Sequence, residues 1–203
     1  MKQNISLIDF GAGNLHSVYK ALKFIGADVE IAKDIAVIEK SDAVVFPGVG
    51  AFGSVMSAIK KNNLQDIVIK SANSSKPFLG ICVGMQVLFE GSEEDSKEKG
   101  LGIFKGNVVK FKKAKKVPHI GWNDSIPVGA LHATPLQGKY YFVHSYYVVP
   151  EDKNIIFAET EYDDEKFTSI IKKDNLLAVQ FHPEKSGDAG LTLLEDFVKL
   201  TKT

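Results

Sequence analysis

Cys82 is the only cysteine of the chain and stands in Gly80-Ile81-Cys82-Val83-Gly84-Met85-Gln86, directly after the apolar Pro77-Phe78-Leu79. Glycines two residues to either side of a nucleophile allow a sharp strand-to-helix turn, because the backbone can close while the central side chain projects into a cleft. The sulfur there meets the free N–H groups and positive end of a helix, which favour thiolate, the reactive form. A lone cysteine among apolar residues is otherwise a small buried hydrophobe. What distinguishes the two readings lies downstream, where the strand-like run 175–181 ends in His182-Pro183-Glu184-Lys185. Residues i and i+2 of an extended chain point to one side, and Pro183 biases His182 towards extended geometry, so His182 and Glu184 can share a face. An imidazole can take a thiol proton and return it to a leaving amine, while a carboxylate holds the ring tautomer. Cys82, His182 and Glu184 are therefore the candidate nucleophile, base and orienting acid of acyl transfer.

Attack on an amide also needs donors for the oxyanion of the tetrahedral intermediate. Pro47-Gly48-Val49-Gly50 follows the strand-like Asp42-Ala43-Val44-Val45-Phe46 as a glycine-rich turn. The amide of Val49 or Gly50, together with that of Val83, could form such a hole.

The elements that must position these groups alternate over the first ninety residues: strands at 5–9, 29–31, 43–46 and 78–81, with helices from Asn14, from Ala51 and after Cys82. Such alternation implies a mostly parallel sheet covered by helices on both faces, an α/β fold, whose ligands bind beyond the carboxyl ends of the strands. Asn14 reads as the N-cap of a helix with Leu15, Val18, Leu22 and Ile25 at helical spacing. The rest is richer in strands, at 106–111, 140–149, 155–159, 167–171 and 176–181, before a closing helix at 190–200. The polar segment 92–99 reads as an exposed loop, and the lysine-rich 110–116 as a solvated hairpin or a loop near an anionic surface.

Taken together, the Gly80–Gln86 elbow, the Pro47–Gly50 turn and Phe181-His182-Pro183-Glu184 resemble the class I, or triad, glutamine amidotransferases. Three further segments, Asp9-Phe10-Gly11-Ala12-Gly13-Asn14, Val117-Pro118-His119-Ile120-Gly121-Trp122-Asn123 and Tyr140-Tyr141-Phe142-Val143-His144-Ser145-Tyr146, are similar to those of the glutaminase subunits of imidazole glycerol phosphate synthases. The resemblance implies a flavodoxin-like sheet with additional antiparallel strands, and a glutamyl thioester on Cys82. It implies L-glutamine held by Gly48, Gly50, Gln86, Ser145 and Tyr146, and ammonia passed to a (β/α)8 cyclase subunit in a heterodimer. Asn14, Trp122, Tyr141 and Lys185 are then expected near the interface or the ammonia channel. Trp122, the only tryptophan, could equally fill the core, but aromatic residues often anchor partners.

Composition agrees. At 203 residues one domain over 1–203 is the simplest expectation, and a formal net charge of zero gives no argument for nucleic acid. The glycine turn at 11–14 lacks the third glycine of a dinucleotide fingerprint, and the chemistry read here calls for no cofactor or metal. One cysteine suits a reducing cytosol, no apolar leader is read before the first strand, and the longest apolar stretch is too short for a bilayer. A cytoplasmic protein without membrane contact is expected. All 25 basic residues are lysines, so guanidinium clamps for phosphate are absent. Other expectations remain compatible with the motifs: a paralogous synthase such as one amidating a surface sugar, a free-standing γ-glutamyl hydrolase, or a non-catalytic binding module.

Overall fold

The computed structural model describes residues 4–11, 15–128, 136 and 138–201. In chain order, β1 (Asn4–Ile8), α1 (Leu15–Phe24), β2 (Asp28–Ala32), α2 (Ile35–Lys40), β3 (Ala43–Gly48), α3 (Phe52–Lys61), α4 (Gln65–Ala72), β4 (Phe78–Cys82) and the short α5 (Val83–Gln86) make the alternating part. β3 and β4 are buried along their whole length, as uninterrupted apolar runs in a parallel sheet must be. α1 and α3 pack one stripe each onto the sheet, Val18, Ala21 and Leu22 from the first and Phe52, Val55, Met56 and Ile59 from the second. The short helices α2 and α4 are not evident from periodicity; α2 starts where the Asp34 carboxylate accepts from Ala36 N at 2.8 Å.

The remainder comprises β5 (Gly91–Ser92), β6 (Asp95–Lys99), β7 (Gly106–Lys110), β8 (His119–Pro127), β9 (Gly138–His144), β10 (Tyr146–Pro150), β11 (Ile156–Tyr162), β12 (Glu165–Lys173), β13 (Leu176–Val179) and α6 (Gly187–Leu200). Nine strands form one sheet in the order β2-β1-β3-β4-β13-β12-β11-β8-β9, and β10-β7-β5-β6 form a second. The pairings from β2 to β13 are parallel, and those from β13 to β9 antiparallel. The fold is thus α/β with a helix-flanked central sheet, whose antiparallel strands extend that same sheet.

Register places the site. Gly48 of β3 pairs with Cys82 of β4, and Val179 of β13 pairs with Ile81 of β4. The glycine turn, the elbow and the segment bearing His182 therefore leave three adjacent parallel strands at their carboxyl ends, where ligands bind in such sheets.

Three segments differ from the sequence reading. Residues 140–149 are not one strand: the chain breaks at Ser145, β9 joins the large sheet and β10 the small one. Apolar residues continue through the break because both strands have a buried face. The polar segment 92–99 is not a loop but most of a hairpin: Ser92 ends β5, Glu93 and Glu94 turn, and 95–99 form β6, an edge strand whose charged residues suit solvent on its open side. Finally, β8 is a nine-residue strand, although its glycine, asparagine and aspartate do not favour one. The lysine-rich segment after β7 has exposed lysines and is held by the Glu165 carboxylate, which accepts from the backbone N–H of Lys112 (2.9 Å) and Lys113 (2.7 Å).

Candidate active site

Cys82 sits at the N-terminus of α5 with φ 53° and ψ −112°, a left-handed conformation for a non-glycine residue. Such a backbone costs about 1–3 kcal/mol and persists only where the surroundings enforce it. Close packing does so here. A β-carbon on Gly84 would lie 2.2 Å from the Phe46 carbonyl oxygen, and one on Gly48 would lie 2.4 Å from Gly84 N. The end of β3 and the first turn of α5 thus touch backbone to backbone, holding the elbow shut and leaving the cysteine side chain at the cleft.

His182 follows β13 with extended geometry, φ −104° and ψ 94°, as Pro183 requires. Its Nδ1 lies 2.9 Å from Glu184 Oε1, and both side chains are almost fully buried. The residue is clamped from several sides: its N–H donates to the Tyr141 carbonyl (2.9 Å), and its carbonyl accepts from Ser186 Oγ (2.6 Å), which in turn accepts from Tyr141 N (2.9 Å). Burial disfavours the imidazolium, but hydrogen bonding and charge from Cys82 and Glu184 outweigh it and raise the pKa to about 10. The protonated ring is the favoured form. Glu184 Oε2 has no hydrogen-bond partner among the described residues.

A cleft of about 400 Å³ opens over the sulfur. Cys82, Val83, His182 and the turn residues Val49 and Gly50 line it, as do Gln86, Ser145, Tyr146 and Lys185. Gly48 does not line it but packs beneath the elbow, and Glu184 stands behind His182. A buried thiol beside a carboxylate-oriented imidazole, with backbone turns on the same cleft, is the arrangement that thioester-forming amide hydrolysis needs. The family model for class-I glutamine amidotransferases matches residues 6–200.

The chain belongs to this amidotransferase family. It is 46% identical over 204 residues to the imidazole glycerol phosphate synthase subunit HisH of Caldanaerobacter subterraneus subsp. tengcongensis, covering 98% of each chain. Proteins of the same name from Aquifex aeolicus (46% identical, 94% of each chain) and Pyrococcus furiosus (46% identical, 97% of this chain and 98% of the relative) are similar to the same degree. Among solved structures, one described as a glutamine amidotransferase superposes with a TM-score of 0.76 at 17% identity, covering 98% of this chain and 99% of the other. PurLQS from Thermotoga maritima gives 0.74 at 17%, with the same coverage. Both support the fold.

Two residues, one lining this amidotransferase cleft and one buried beneath it, escaped the sequence reading. Glu94, assigned there to an exposed loop, lines the cleft, and its Oε2 accepts from Phe52 N at the start of α3 (2.7 Å). Gln180, read only as part of a buried strand, is fully buried and points its Nε2 at Cys82 Sγ, 3.6 Å away. No spacing signal marks either, because their significance lies in which strand ends converge.

His144 also lines the cleft and belongs to a buried chain with His119. His144 Nδ1 lies 2.9 Å from the Tyr146 carbonyl, which only accepts, so Nδ1 carries the proton and Nε2 accepts from His119 Nδ1 at 3.2 Å. His119 Nε2 then accepts from Asn123 Nδ2 (3.4 Å), which also donates to the Glu161 carbonyl (2.8 Å). Burial pushes His119 down to about 4, and burial together with the neighbouring imidazoles pushes His144 down to about 3, so both rings are neutral near pH 7.

Of the expected interface residues, Asn14 lies outside the described residues. Trp122 is not in the core: it is 55% exposed and stacks edge-on against Tyr141 across the β8–β9 pair, ring centroids 6.1 Å apart. Ile120 is 56% exposed and pairs with the half-exposed Val143, which reaches the cleft, as Lys185 does. An apolar face therefore adjoins the cleft mouth. Among the described residues, no helix is long and apolar enough to cross a membrane.

Proposed function

We propose that this chain is the glutaminase subunit of imidazole glycerol phosphate synthase, a single amidotransferase domain working in the cytoplasm. The observation that carries this reading is the Cys82–His182–Glu184 constellation in a chain alike end to end to proteins of that name. Glutamine lies in the cleft with its side-chain amide over the sulfur. Gly50, Gln86, Ser145 and Tyr146 hold it, with Gly48 setting the turn; both N–H groups of Gln86 are engaged within the protein, leaving its carbonyl oxygen for the substrate. Glu94, the one carboxylate among the lining residues, suits the α-ammonium group.

His182, oriented by Glu184, takes the Cys82 thiol proton as the sulfur attacks the amide carbon. The amides of Val49, Gly50 and Val83 stabilise the oxyanion. The C–N bond breaks as His182 protonates the departing ammonia, leaving a glutamyl thioester. Water, deprotonated by His182, then releases glutamate, while Glu184 holds the ring throughout.

Free ammonia in neutral water becomes ammonium and loses its nucleophilic lone pair, which favours direct transfer to a partner. The exposed Ile120, Trp122 and Val143 beside Tyr141 and Lys185 form the docking face for a (β/α)8 cyclase subunit and surround the ammonia exit. That cyclase, not this arginine-free chain, binds the phosphorylated acceptor. The test is to measure glutamine hydrolysis by the chain alone, then with the cyclase subunit and its nucleotide. A sharp rise on assembly is expected; full activity alone, with no complex formed, contradicts the reading.

A further inference from the structure

Gln180 is completely buried beside the elbow, and no step above uses it. Its Oε1 accepts from Gln86 Nε2 at 3.0 Å, and its Nε2 lies 3.6 Å from Cys82 Sγ. Gln86 Nε2 also donates to the Tyr146 carbonyl at 2.9 Å, the oxygen that accepts from His144 Nδ1. A backbone carbonyl can only accept, and this fixes everything attached to it. Gln86 must present its NH2 group to Tyr146, so the second hydrogen of that group faces Gln180. Gln180 must answer with oxygen, so its own NH2 faces the sulfur. Turning either amide over would set oxygen against oxygen or NH2 against NH2 in a buried site, leaving polar groups there without partners.

We propose that Gln180 is a positioning residue that holds an N–H donor against the Cys82 sulfur, favouring its anionic form and fixing its direction, with the Tyr146 carbonyl dictating which end of the amide faces the thiol. The proposal rests on the reading of Cys82 as nucleophile. A hydrogen bond to a charged form stabilises that form, and the bond persists while the sulfur attacks. It also explains why a fully buried position of a strand end, flanked by Val179 and Phe181, carries an amide. The titratable groups facing the same space are His182 with Glu184 behind it, and His144, Tyr146, Glu94 and Lys185 around the cleft. All remain in place when Gln180 alone is changed.

The test is the pH dependence of Cys82 alkylation by iodoacetamide in the full chain, compared with Gln180→Leu and Gln180→Glu. Removing the donor should move the alkylation midpoint up by about one pH unit, a roughly tenfold slower reaction below the midpoint, and Gln180→Glu should move it further by adding negative charge. The kcat for glutamine should fall with KM little changed. A midpoint unmoved in both variants overturns the donor role. Failure of wild-type Cys82 to react at all would instead overturn the nucleophile reading, so the two failures are distinct. Should either variant not fold, the unmutated chain with 15N-labelled glutamine side chains decides. The Gln180 amide protons should shift with the same midpoint as alkylation and lose that step in Cys82→Ala; protons that ignore the titration overturn the proposal.

Discussion

The two halves of the central sheet differ in what covers them. The parallel half, from β2 to β13, is buried under helices and delivers the glycine turn, the elbow and His182 from adjacent strand ends. At the antiparallel end, the edge pair β8–β9 buries one face and leaves the other exposed: Ile120, Trp122 and Ile126 lie on one side of β8 and are all exposed, whereas β12 is buried through its middle. On the function proposed above, chemistry is built where the backbone is enclosed on both sides, and recognition where a sheet keeps an open face. The join is short. His182 N–H donates to the Tyr141 carbonyl, so the strand carrying Tyr141 on the open face also holds the base. The buried His119–His144 pair adds a second connection, running from β8 beside Trp122 to the Tyr146 carbonyl that orders Gln86 and Gln180.

The comparison can be broken at several points. The largest effect belongs to the orienting acid. Glu184→Gln keeps the shape but removes the charge that favours imidazolium, and the glutaminase kcat should fall by about 10²- to 10⁴-fold. Steady-state kinetics with a melting curve as control checks this; a fall under tenfold in a folded protein would detach Glu184 from the chemistry. Next, Gly84→Ala drives a methyl group into the Phe46 carbonyl, backbone against backbone. Stability should drop by about 3 kcal/mol in urea titrations, with Cys82 no longer alkylated as in the parent. An unchanged midpoint of unfolding would mean that the elbow closes without this contact.

On the open half, Trp122→Ala should weaken cyclase binding by about 2 kcal/mol, roughly thirtyfold in Kd, while leaving stability nearly unchanged because the ring is half exposed. Titration calorimetry reads the first and thermal melting the second; unaltered affinity would move the docking face elsewhere. A further effect, read in pH rather than in a variant, comes from the two neutral histidines. Their folded pKa values of about 4 and about 3 lie below the unfolded 6.5, so the unfolded chain binds more protons between these limits. Their stabilising contribution is complete above pH 6.5 and declines as pH falls towards 4, by up to roughly 1 kcal/mol per unit for each ring. His182, raised to about 10, acts oppositely: its contribution is full below pH 6.5 and is lost as pH rises through 10. Urea midpoints at pH 8, 6 and 5 measure the acid limb, and a flat profile would contradict burial of the neutral pair.

The same division governs what could be read beforehand. In the parallel half, apolar runs, flanking glycines and His-Pro-Glu carry their meaning locally, so Cys82, His182 and Glu184 were legible along with the strands that place them. In the antiparallel half, β8 hides behind residues poor in strand propensity, β6 reads as a loop because an edge strand welcomes charge, and the break at Ser145 is masked by apolar residues on both sides. Trp122 was legible as unusual, but its exposure follows from which face of β8 the helices leave uncovered. Glu94 and Gln180 were invisible for a further reason: each acts through a partner distant in sequence, Phe52 for one and Gln86 with Cys82 for the other.

The central claim is that Cys82 makes ammonia for a second subunit. Product formation by the assembled synthase should be measured with glutamine and, separately, with added ammonium salt, using the parent chain and Cys82→Ala. The account predicts that the variant loses glutamine-dependent synthesis and keeps the ammonium-dependent reaction at the parental rate. Equal loss of both, or glutamine-dependent synthesis that survives the substitution, would contradict it.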